Sequence, residues 1–579
     1  MSRGSLWAGL RAKPAWALRQ ACQEGWTAQR VRTDLLAGVV VGIVALPLSM
    51  ALGIATGVGP QAGLYASIIA GFVSALTGGS RVQVSGPTAA FLGILVPVVA
   101  QHGVVGLVVA TFLAGFLLVG LGAVGLGRAI SLVPFPVTAG LTAGVGATIA
   151  LLQLQDFFGL HIEQLPIETL PRMLVVVQHL HTWSWLDAAL GCLALAILLG
   201  LPKLVRSIPP ALVAVSAASL AGVWATRVWP TARLDTIASA CGTPAAPHGI
   251  AARLPSFHVP WAELERGLDF ATLQALFPSA VAIALLGAMI SLLSAVVSDG
   301  LSGRRHDPDA ELMGQGLGNI AASLFGGFAS TGAVARTTAN VRAGAATPLA
   351  AAAHAVFLAL LVVTMAPLLG LLPLSALAAV LMVVAWHMIN VSHLVRIVRT
   401  APRADAAVLL ACIVLTVAFN MITAVLVGIA LAGILFIRRM SDLTDIAVHD
   451  THPDQALHLP AGTVVYRVSG PLFFGAAQRA MQEFERVNTT TRHVIVDLQA
   501  VPAIDATGLV NLAGAVTALE GRGMRVSLAG LQAKPRADIE RALLTWSVRP
   551  QLYASVQAAL DTSATPSGHT REDEARRQT

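Results

Sequence analysis

The sequence predicts a polytopic α-helical membrane protein with a small α/β domain at its C-terminus. Of its 579 residues, 55% are hydrophobic and only 12% are charged, a composition that an ordinary soluble fold does not have. Up to about residue 440, the apolar residues form runs long enough to cross or half-cross a hydrocarbon core of about 30 Å. The formal charge is +7, but Lys and Arg stand at the ends of apolar runs rather than in a patch, so nucleic acid is not an expected partner.

The apolar runs predict about fourteen segments between Asp34 and Arg439. Residues 1–33 are then a cytoplasmic N-terminal segment and residues 34–440 a transmembrane transport domain. The segments cover approximately residues 35–54, 60–77, 87–100, 104–122, 134–154, 185–201, 207–226, 272–297, 312–326, 332–342, 348–369, 374–391, 404–419 and 421–437.

The distribution of basic residues gives the expected orientation. Short loops after odd-numbered segments contain only Arg172, whereas the basic loop residues after even-numbered segments are Arg81, Arg128, Lys203, Arg206, Arg304, Arg305, Arg396, Arg399, Arg403, Arg438 and Arg439. Because cytoplasmic loops collect Lys and Arg, both termini are expected in the cytoplasm of a multi-pass bacterial inner-membrane protein. The long segment 227–270 is then periplasmic.

Two of the segments are too short to cross, and each follows a break in the chain. In residues 84–91, Gly86 and Pro87 open a helix after an extended stretch. Residues 326–337 form a second break that is rich in Gly and hydroxyl side chains. The two breaks precede the third and the tenth of fourteen segments. These positions correspond in a 7+7 inverted repeat, where broken helices indicate the binding site.

The two half-helices predict a site for an anion. If their N-termini oppose each other, free backbone N–H groups and positive dipole ends converge on one point. Arg336 adds a full positive charge that is costly in lipid unless it serves an anion or a cavity. A plain turn at Gly86-Pro87 and a snorkelling or structural Arg336 are the alternatives. The recurrence of the break at matched positions favours a site.

No other residues are assigned a chemical role. The four cysteines are far apart, no metal-ligand spacing occurs, and no nucleophile, base and orienting group cluster, so no metal, cofactor or enzymatic activity is expected. His354 and His387 lie in apolar helices and are interpreted as satisfied core residues. Spaced glycine pairs are interpreted as packing surfaces: Gly38 with Gly42, Gly140 with Gly144, and Gly314 with Gly318.

From about Ala447 the composition becomes that of a soluble α/β domain, expected over residues 447–560. Short β-rich runs begin at Val464, Val494 and Val526 and alternate with helix patterns, which predicts a mostly parallel sheet. The predicted helices begin near Gly475, Thr507 and Lys534. Residues 561–579 are polar and are predicted to be a disordered tail.

Several runs of residues resemble a known family over most of the chain, from Asp34 to about Trp546. In the membrane part they are Asp34-Leu-Leu-Ala-Gly-Val, Ala45-Leu-Pro, Gly59-Pro-Gln-Ala-Gly-Leu-Tyr, Gly78-Gly-Ser-Arg, Ser85-Gly-Pro-Thr and Glu311-Leu-Met-Gly-Gln-Gly-Leu-Gly-Asn. With them the chain resembles the sulfate permease (SulP) family, called solute carrier family 26 in animals. Gly470-Pro-Leu-Phe-Phe-Gly and Ile504-Asp-Ala-Thr-Gly resemble a STAS domain, which is found in sulfate transporters and anti-sigma factor antagonists.

This resemblance implies core and gate subdomains, an anion held between helices 3 and 10, elevator-like alternating access and a homodimer. The substrate classes it implies are sulfate, bicarbonate, chloride and dicarboxylates. The STAS-like domain implies a cytoplasmic protein partner. Carried over by position, the substrate-binding residues are Pro87, Thr88, Ala89, Gly332, Ala333, Val334, Ala335 and Arg336.

One departure from the family pattern concerns coupling. Bacterial members commonly have an acidic residue before Ser-Leu-Leu in the eighth helix, and this chain has Ile290 there, with Ser294 one turn on. Ile290 cannot titrate or hold a cation, and no Asp or Glu lies well inside any span. Asp299 follows about two and a half turns later, at the cytoplasmic end. Exchange and uncoupled conduction therefore stay open beside symport.

Thr507 occupies the position that is phosphorylated in anti-sigma factor antagonists, so it is a candidate regulatory phosphosite. Helix capping by Asp505 and Thr507 is the favoured interpretation. Two other functions stay open for the whole chain. A nucleobase or organic-acid symporter would need a carboxylate that Ile290 does not supply, and a membrane-anchored STAS binding module would move no anion.

Overall fold

The computed structural model describes eleven parts of the chain: residues 14–130, 135–162, 166, 169–205, 209–244, 246–259, 270–419, 421–442, 445–449, 459–473 and 491–564. The predicted helix near Gly475 and residues 565–579 of the predicted tail lie outside them. The chain divides into two compact units, residues 1–430 and 431–579.

In its described residues the first unit is mainly helical and contains two short strands, β1 (Ser85–Gly86) and β2 (Thr331–Gly332). Among the described residues, nine helical segments are long and apolar enough to cross a membrane. The helices are α1 Trp16–Glu24, α2 Ala28–Ala55, α3 Pro60–Thr77, α4 Leu92–Ala123, α5 Gly127–Ile130, α6 Phe135–Phe158, α7 Thr169–Gln178, α8 Trp185–Leu204, α9 Pro210–Val228, α10 Ile237–Cys241, α11 Phe270–Ser302, α12 Pro308–Leu324, α13 Val334–Arg342, α14 Pro348–Leu369, α15 Leu374–Ile389, α16 Val391–Thr400, α17 Arg403–Ala418 and α18 Met421–Asp442.

Each of the fourteen predicted segments coincides with helix, which confirms the predicted fold class. The third and fourth segments form one element, α4, which is broken at Gly103 by a left-handed φ of +68°. Five short helices, α1, α5, α7, α10 and α16, were not predicted, because with four to ten residues they are too short for a spanning run.

The spaced glycines pack helices against each other, as predicted. A Cβ on Gly38 would lie 2.6 Å from the carbonyl oxygen of Ala350, and one on Gly314 would lie 2.4 Å from the Cα of Gly78. These backbones approach so closely that only glycine fits. The second contact holds α12 against the end of α3, next to the first break in the chain.

Helix α1 packs against the rest of the first unit through backbone hydrogen bonds and ion pairs. The backbone N–H of Ala15, just before the helix, donates to the carbonyl of Thr77 at 2.7 Å. At the other end of α1, the Glu24 carboxylate accepts from Arg81 at 2.6 Å and lies 3.5 Å from Arg304. Arg81 also donates to Gln20 at 2.7 Å. The helix therefore covers Arg81, which stands four residues before β1.

Replacing Glu24 by Gln is expected to loosen α1, since a neutral amide cannot form the ion pairs that the carboxylate makes with Arg30, Arg81 and Arg304. The hydrogen bond from Arg81 holds the pKa of the Glu24 carboxyl below its ordinary value of 4.5. A lowered pKa in the folded state means that the stabilisation is present at neutral pH and is lost as the pH falls below that value. We expect hydrogen exchange of residues 16–24 to be about threefold faster in E24Q at neutral pH.

The control for this exchange measurement is Glu540→Gln, which removes an exposed ion pair with Arg536 in the second unit. At low pH, wild type and E24Q should exchange residues 16–24 alike. Equal exchange of the two proteins at neutral pH would show that Glu24 does not hold the helix.

The second unit contains a five-stranded sheet in the order β3-β4-β5-β6-β7, with β3 antiparallel to β4 and the other pairs parallel. Its elements are β3 Asp445–His449, β4 Thr463–Ser469, β5 His493–Ala500, α19 Ala506–Gly521, β6 Arg525–Ala529, α20 Ala533–Ala542, β7 Gln551–Tyr553 and α21 Val556–Ala564. Strand β5 is buried along its first six residues, as expected for an inner strand of a parallel sheet. The predicted strands and the helices near Thr507 and Lys534 are confirmed.

Two further predictions fall in this unit. Helix α21 continues to Ala564, so the first four residues of the predicted tail are helical. Asp505 caps α19 by accepting from the backbone N–H of Gly508 at 2.6 Å, which agrees with the capping interpretation. The Thr507 side chain is exposed in the first turn of that helix, and its phosphorylation stays a prediction.

Candidate functional site

The two breaks in the chain meet inside the helical unit. Strands β1 and β2 pair antiparallel, with Ser85 opposite Gly332 and Gly86 opposite Thr331. The backbone N–H of Ala333 extends the pairing by donating to the carbonyl of Val84 at 2.9 Å. Because the strands are antiparallel and a helix follows each, the two helices leave the crossing in opposite directions with their N-termini beside it.

Both helix starts lack a side-chain cap. Thr88 precedes a 3₁₀ turn, Ala89–Phe91, that leads into α4, and Ala333 precedes α13. Neither residue donates or accepts a side-chain capping bond. The first N–H groups of a helix have no partner within the helix, so uncapped starts are free to bind an anion.

Arg336 lies in the first turn of α13 and is fully buried. Its guanidinium donates to the hydroxyls of Ser67 and Ser49, both at 3.1 Å, and to the carbonyl of Pro87 at 3.3 Å. It forms no ion pair with any described carboxylate, and its Nε has no hydrogen-bond partner among the described residues. A buried charge without a counter-ion is costly, so the arrangement favours a negative ligand nearby.

The structure brings all eight predicted substrate-binding residues to the crossing, but it does not expose them equally. Thr88 and Val334 are half-buried and Ala335 is exposed, whereas Arg336 lies beneath them. The remaining four are buried: Pro87, Ala89, Gly332 and Ala333. Their role in binding stays a prediction. Arg336 donates to the carbonyl of Pro87 and does not reach an open surface.

The Gly86→Ala substitution is expected to displace Arg336. A Cβ on Gly86 would lie 2.2 Å from the Arg336 Nη1 and 3.1 Å from the Ser67 Oγ, so the guanidinium must move. We expect uptake of anion into proteoliposomes to fall about tenfold or more while the protein stays folded, because overpacking costs about 1–3 kcal/mol. Gly120→Ala is the matched control, since nothing lies within 4 Å of its added Cβ. Wild-type uptake by G86A would show that the position of Arg336 is unimportant.

Helix α12 holds both breaks in place through one face. Gln315 donates to the Ser85 hydroxyl at 2.5 Å, and Asn319 accepts from the backbone N–H of Ser330 at 2.7 Å. Glu311, one turn before Gln315, is buried and accepts four hydrogen bonds. These roles were not predicted from the sequence. The signal was the four-residue spacing of Glu311, Gln315 and Asn319, which places three polar side chains on one face of an apolar helix.

Helix α11 supports the crossing from another side. The Ser291 hydroxyl hydrogen-bonds that of Thr331 at 2.6 Å and accepts from the backbone N–H of Gly332 at 3.1 Å. Ser294, predicted with Ile290 to mark the coupling position, donates to the Thr337 hydroxyl at 3.2 Å. Ile290 is partly buried on the same helix. These hydroxyls therefore hold the crossing in place.

The buried acids of the described part of the first unit lie in the first or second turn of a helix, and Asp299 lies near the end of one. The Asp34 carboxylate accepts from the Thr347 hydroxyl at 2.5 Å, just before α14 begins. Asp299, at the end of α11, pairs with His306 at 2.7 Å. Asp187 lies in the first turn of α8 and Glu311 in that of α12. In the described chain no three His, Cys, Asp or Glu side chains are arranged to hold a metal ion.

The expectation of satisfied core histidines is wrong for both residues. His387 is exposed on α15. His354 is fully buried, yet neither ring nitrogen has a hydrogen-bond partner among the described residues.

The fold and this crossing define a class of protein: a polytopic membrane transporter built on two broken helices that meet within the bundle. Comparison with known families agrees. Residues 31–412 match the model of the sulfate permease family, and residues 456–559 match that of the STAS domain. The chain belongs to the sulfate permease family.

Individual relatives are similar over most of their length. The "Putative sulfate transporter YvdB" of Bacillus subtilis is 37% identical over 92% of this chain and 97% of its own. The "Bicarbonate transporter BicA" of Synechocystis is 27% identical over 81% of this chain and 83% of its own. These relatives support an anion transporter.

Two solved structures have a similar fold. The structure of SLC26A9 has a TM-score of 0.83 and covers 97% of this chain and 94% of its own, at 16% identity. The transmembrane domain of BicA, at 27% identity, has a TM-score of 0.59 and covers 70% of this chain and 98% of its own. The first of these likenesses concerns the fold alone.

Proposed function

We propose that this chain carries small anions across the membrane, with the anion held at the crossing of β1 and β2. The observation that carries the proposal is the pair of uncapped helix starts beside Arg336, a buried cation without a carboxylate partner. Such a site attracts negative charge through N–H groups, helix dipoles and a guanidinium field that is strong at low dielectric. Sulfate and bicarbonate are the first substrates to test, since they are the substrates that the names of YvdB and BicA give.

Thr88, Val334 and Ala335 are the residues that we expect to touch the anion. They stand at the two helix starts and are the more accessible members of the predicted set. Small side chains at these positions leave the backbone N–H groups within reach of a ligand. Arg336 then neutralises the bound charge from below.

We propose alternating access of the elevator type. Hydrogen bonds tie the crossing to α11 and α12, and Arg336 of α13 bonds to α2 and α3, so the site is attached to a connected set of helices. A rigid set of this kind can move as one body against the remaining helices. The bacterial inner membrane, cytoplasmic termini, a homodimer and a cytoplasmic partner of the STAS domain belong to the same proposal.

The test is uptake of labelled sulfate, bicarbonate, chloride and succinate into proteoliposomes, with and without imposed proton and sodium gradients. Protein-free liposomes give the background, and Arg336→Ala removes the guanidinium. We expect at least one anion to accumulate in wild type and none with the variant. A gradient that drives uptake would identify symport despite Ile290, and exchange for internal anion without a gradient would identify an exchanger. No uptake of any of the four anions would favour a binding module instead.

A further inference from the structure

His354 lies directly behind the crossing. It is on α14 and its ring faces α3, where Nδ1 is 3.8 Å from the position that a Cβ on Gly71 would occupy. The same position is 3.1 Å from the carbonyl oxygen of Ser85. Gly71 is therefore the residue that lies between the imidazole and β1.

The ring is not held by hydrogen bonds to any described residue. Its polar neighbour is the carbonyl of Ala351, one turn earlier, which is too poorly placed for a full hydrogen bond. Most buried polar side chains have a partner, and Glu311 and Asn319 do. Neither ring nitrogen is committed to a structural bond, so the nitrogen that carries no hydrogen in the neutral ring stays available to a proton.

The charged residue that faces His354 is Arg336. Ser67 accepts from Arg336, and Gly71, one turn later on α3, faces His354. The two side chains thus lie about one turn apart, about 5 Å along α3. On α2, Asp34 is bonded to Thr347, two turns before His354. On α12, Glu311 reaches β1 through Gln315, which binds Ser85.

We propose that His354 is the proton-binding residue of the carrier, and that it takes up a proton when an anion occupies the crossing. Without an anion, burial disfavours the charged form of the ring most, and the positive charge of Arg336 adds to this, so His354 stays neutral. A bound anion offsets the charge of Arg336 and attracts the proton, so the charged form becomes less disfavoured. Linkage is reciprocal, so a protonated His354 also strengthens anion binding. The proposal rests on the anion site proposed above and supplies the titratable group that is absent at Ile290.

The test measures protons and anion together on the purified full-length protein. Sulfate is the first probe because it does not titrate between about pH 6 and 8, where histidine does. On addition of sulfate in weak buffer, we expect wild type to take up as much as one proton per bound sulfate. The affinity for sulfate should weaken by as much as tenfold per pH unit as the pH rises. Bicarbonate is measured in parallel, with its own titration subtracted.

His354→Gln should abolish the proton uptake and flatten the pH dependence of affinity. His387→Gln is the matched control, a second histidine of a membrane helix that is exposed, and it should behave as wild type. If H354Q does not fold, a lack of proton uptake by wild type still overturns the proposal. Anion binding without proton uptake or pH dependence would overturn the role of His354 and leave the carrier intact. Binding of neither sulfate nor bicarbonate would overturn the anion site itself, and the role of His354 with it.

Discussion

Replacing Arg336 by methionine is expected to abolish anion uptake while leaving the protein folded. The guanidinium is fully buried and has no described carboxylate partner, so its removal relieves a desolvation cost. Replacing a buried charge by an apolar side chain of similar size is often neutral or stabilising by about 1–4 kcal/mol. The anion, in contrast, loses its buried counter-charge, which costs about 2–5 kcal/mol, so uptake should fall about 100-fold or more.

The measurements are thermal unfolding in detergent and uptake into proteoliposomes, made on one preparation. Arg342→Met is the matched control, because Arg342 is exposed at the end of the same helix and should tolerate the change. Arg336→Lys keeps the charge, but a compact ammonium does not match the fork that reaches Ser49 and Ser67 together, so we expect partial activity. Loss of both folding and uptake in R336M would mean that Arg336 is structural.

Replacing Glu311 by Gln is expected to destabilise the first unit by about 2–4 kcal/mol and to stop anion uptake. One carboxylate oxygen accepts from the backbone N–H groups of Gly79 and Ser80, at 3.0 and 2.9 Å. The other accepts from the amides of Gln83 and Gln315, at 2.8 and 2.9 Å. Four donors fit an ionised carboxylate, which only accepts. A glutamine amide would turn an N–H₂ group towards two of those donors.

The loss of Glu311 should reach the site through its partners. Gln315 also binds Ser85 in β1, so a displaced Gln315 frees the strand that sets the first helix start. The comparison is with Glu540→Gln, an exposed ion-pair residue of the second unit whose loss should have little effect on unfolding or uptake. Wild-type unfolding temperature and uptake in E311Q would show that the network around Glu311 does not position the crossing.

The sequence by itself determined the spans, the two breaks and the α/β domain. Long apolar runs can be recognised in a sequence because a membrane helix must form all its backbone hydrogen bonds within one segment. The breaks could be predicted because Gly86-Pro87 and the glycines before β2 interrupt a helix. Arg336 was identified as a site residue because a charge inside an apolar segment is costly unless it has a function.

Only the tertiary structure showed how these parts meet. Ser49, Ser67 and Pro87 come from three separate segments, and no local pattern says that they converge on Arg336. The same holds for Glu311, whose partners at Gly79, Ser80 and Gln83 are more than two hundred residues away. For this reason the prediction that His354 is a satisfied core residue was wrong. Whether a buried ring has a partner depends on side chains brought near by folding, and the sequence of its own helix does not contain them.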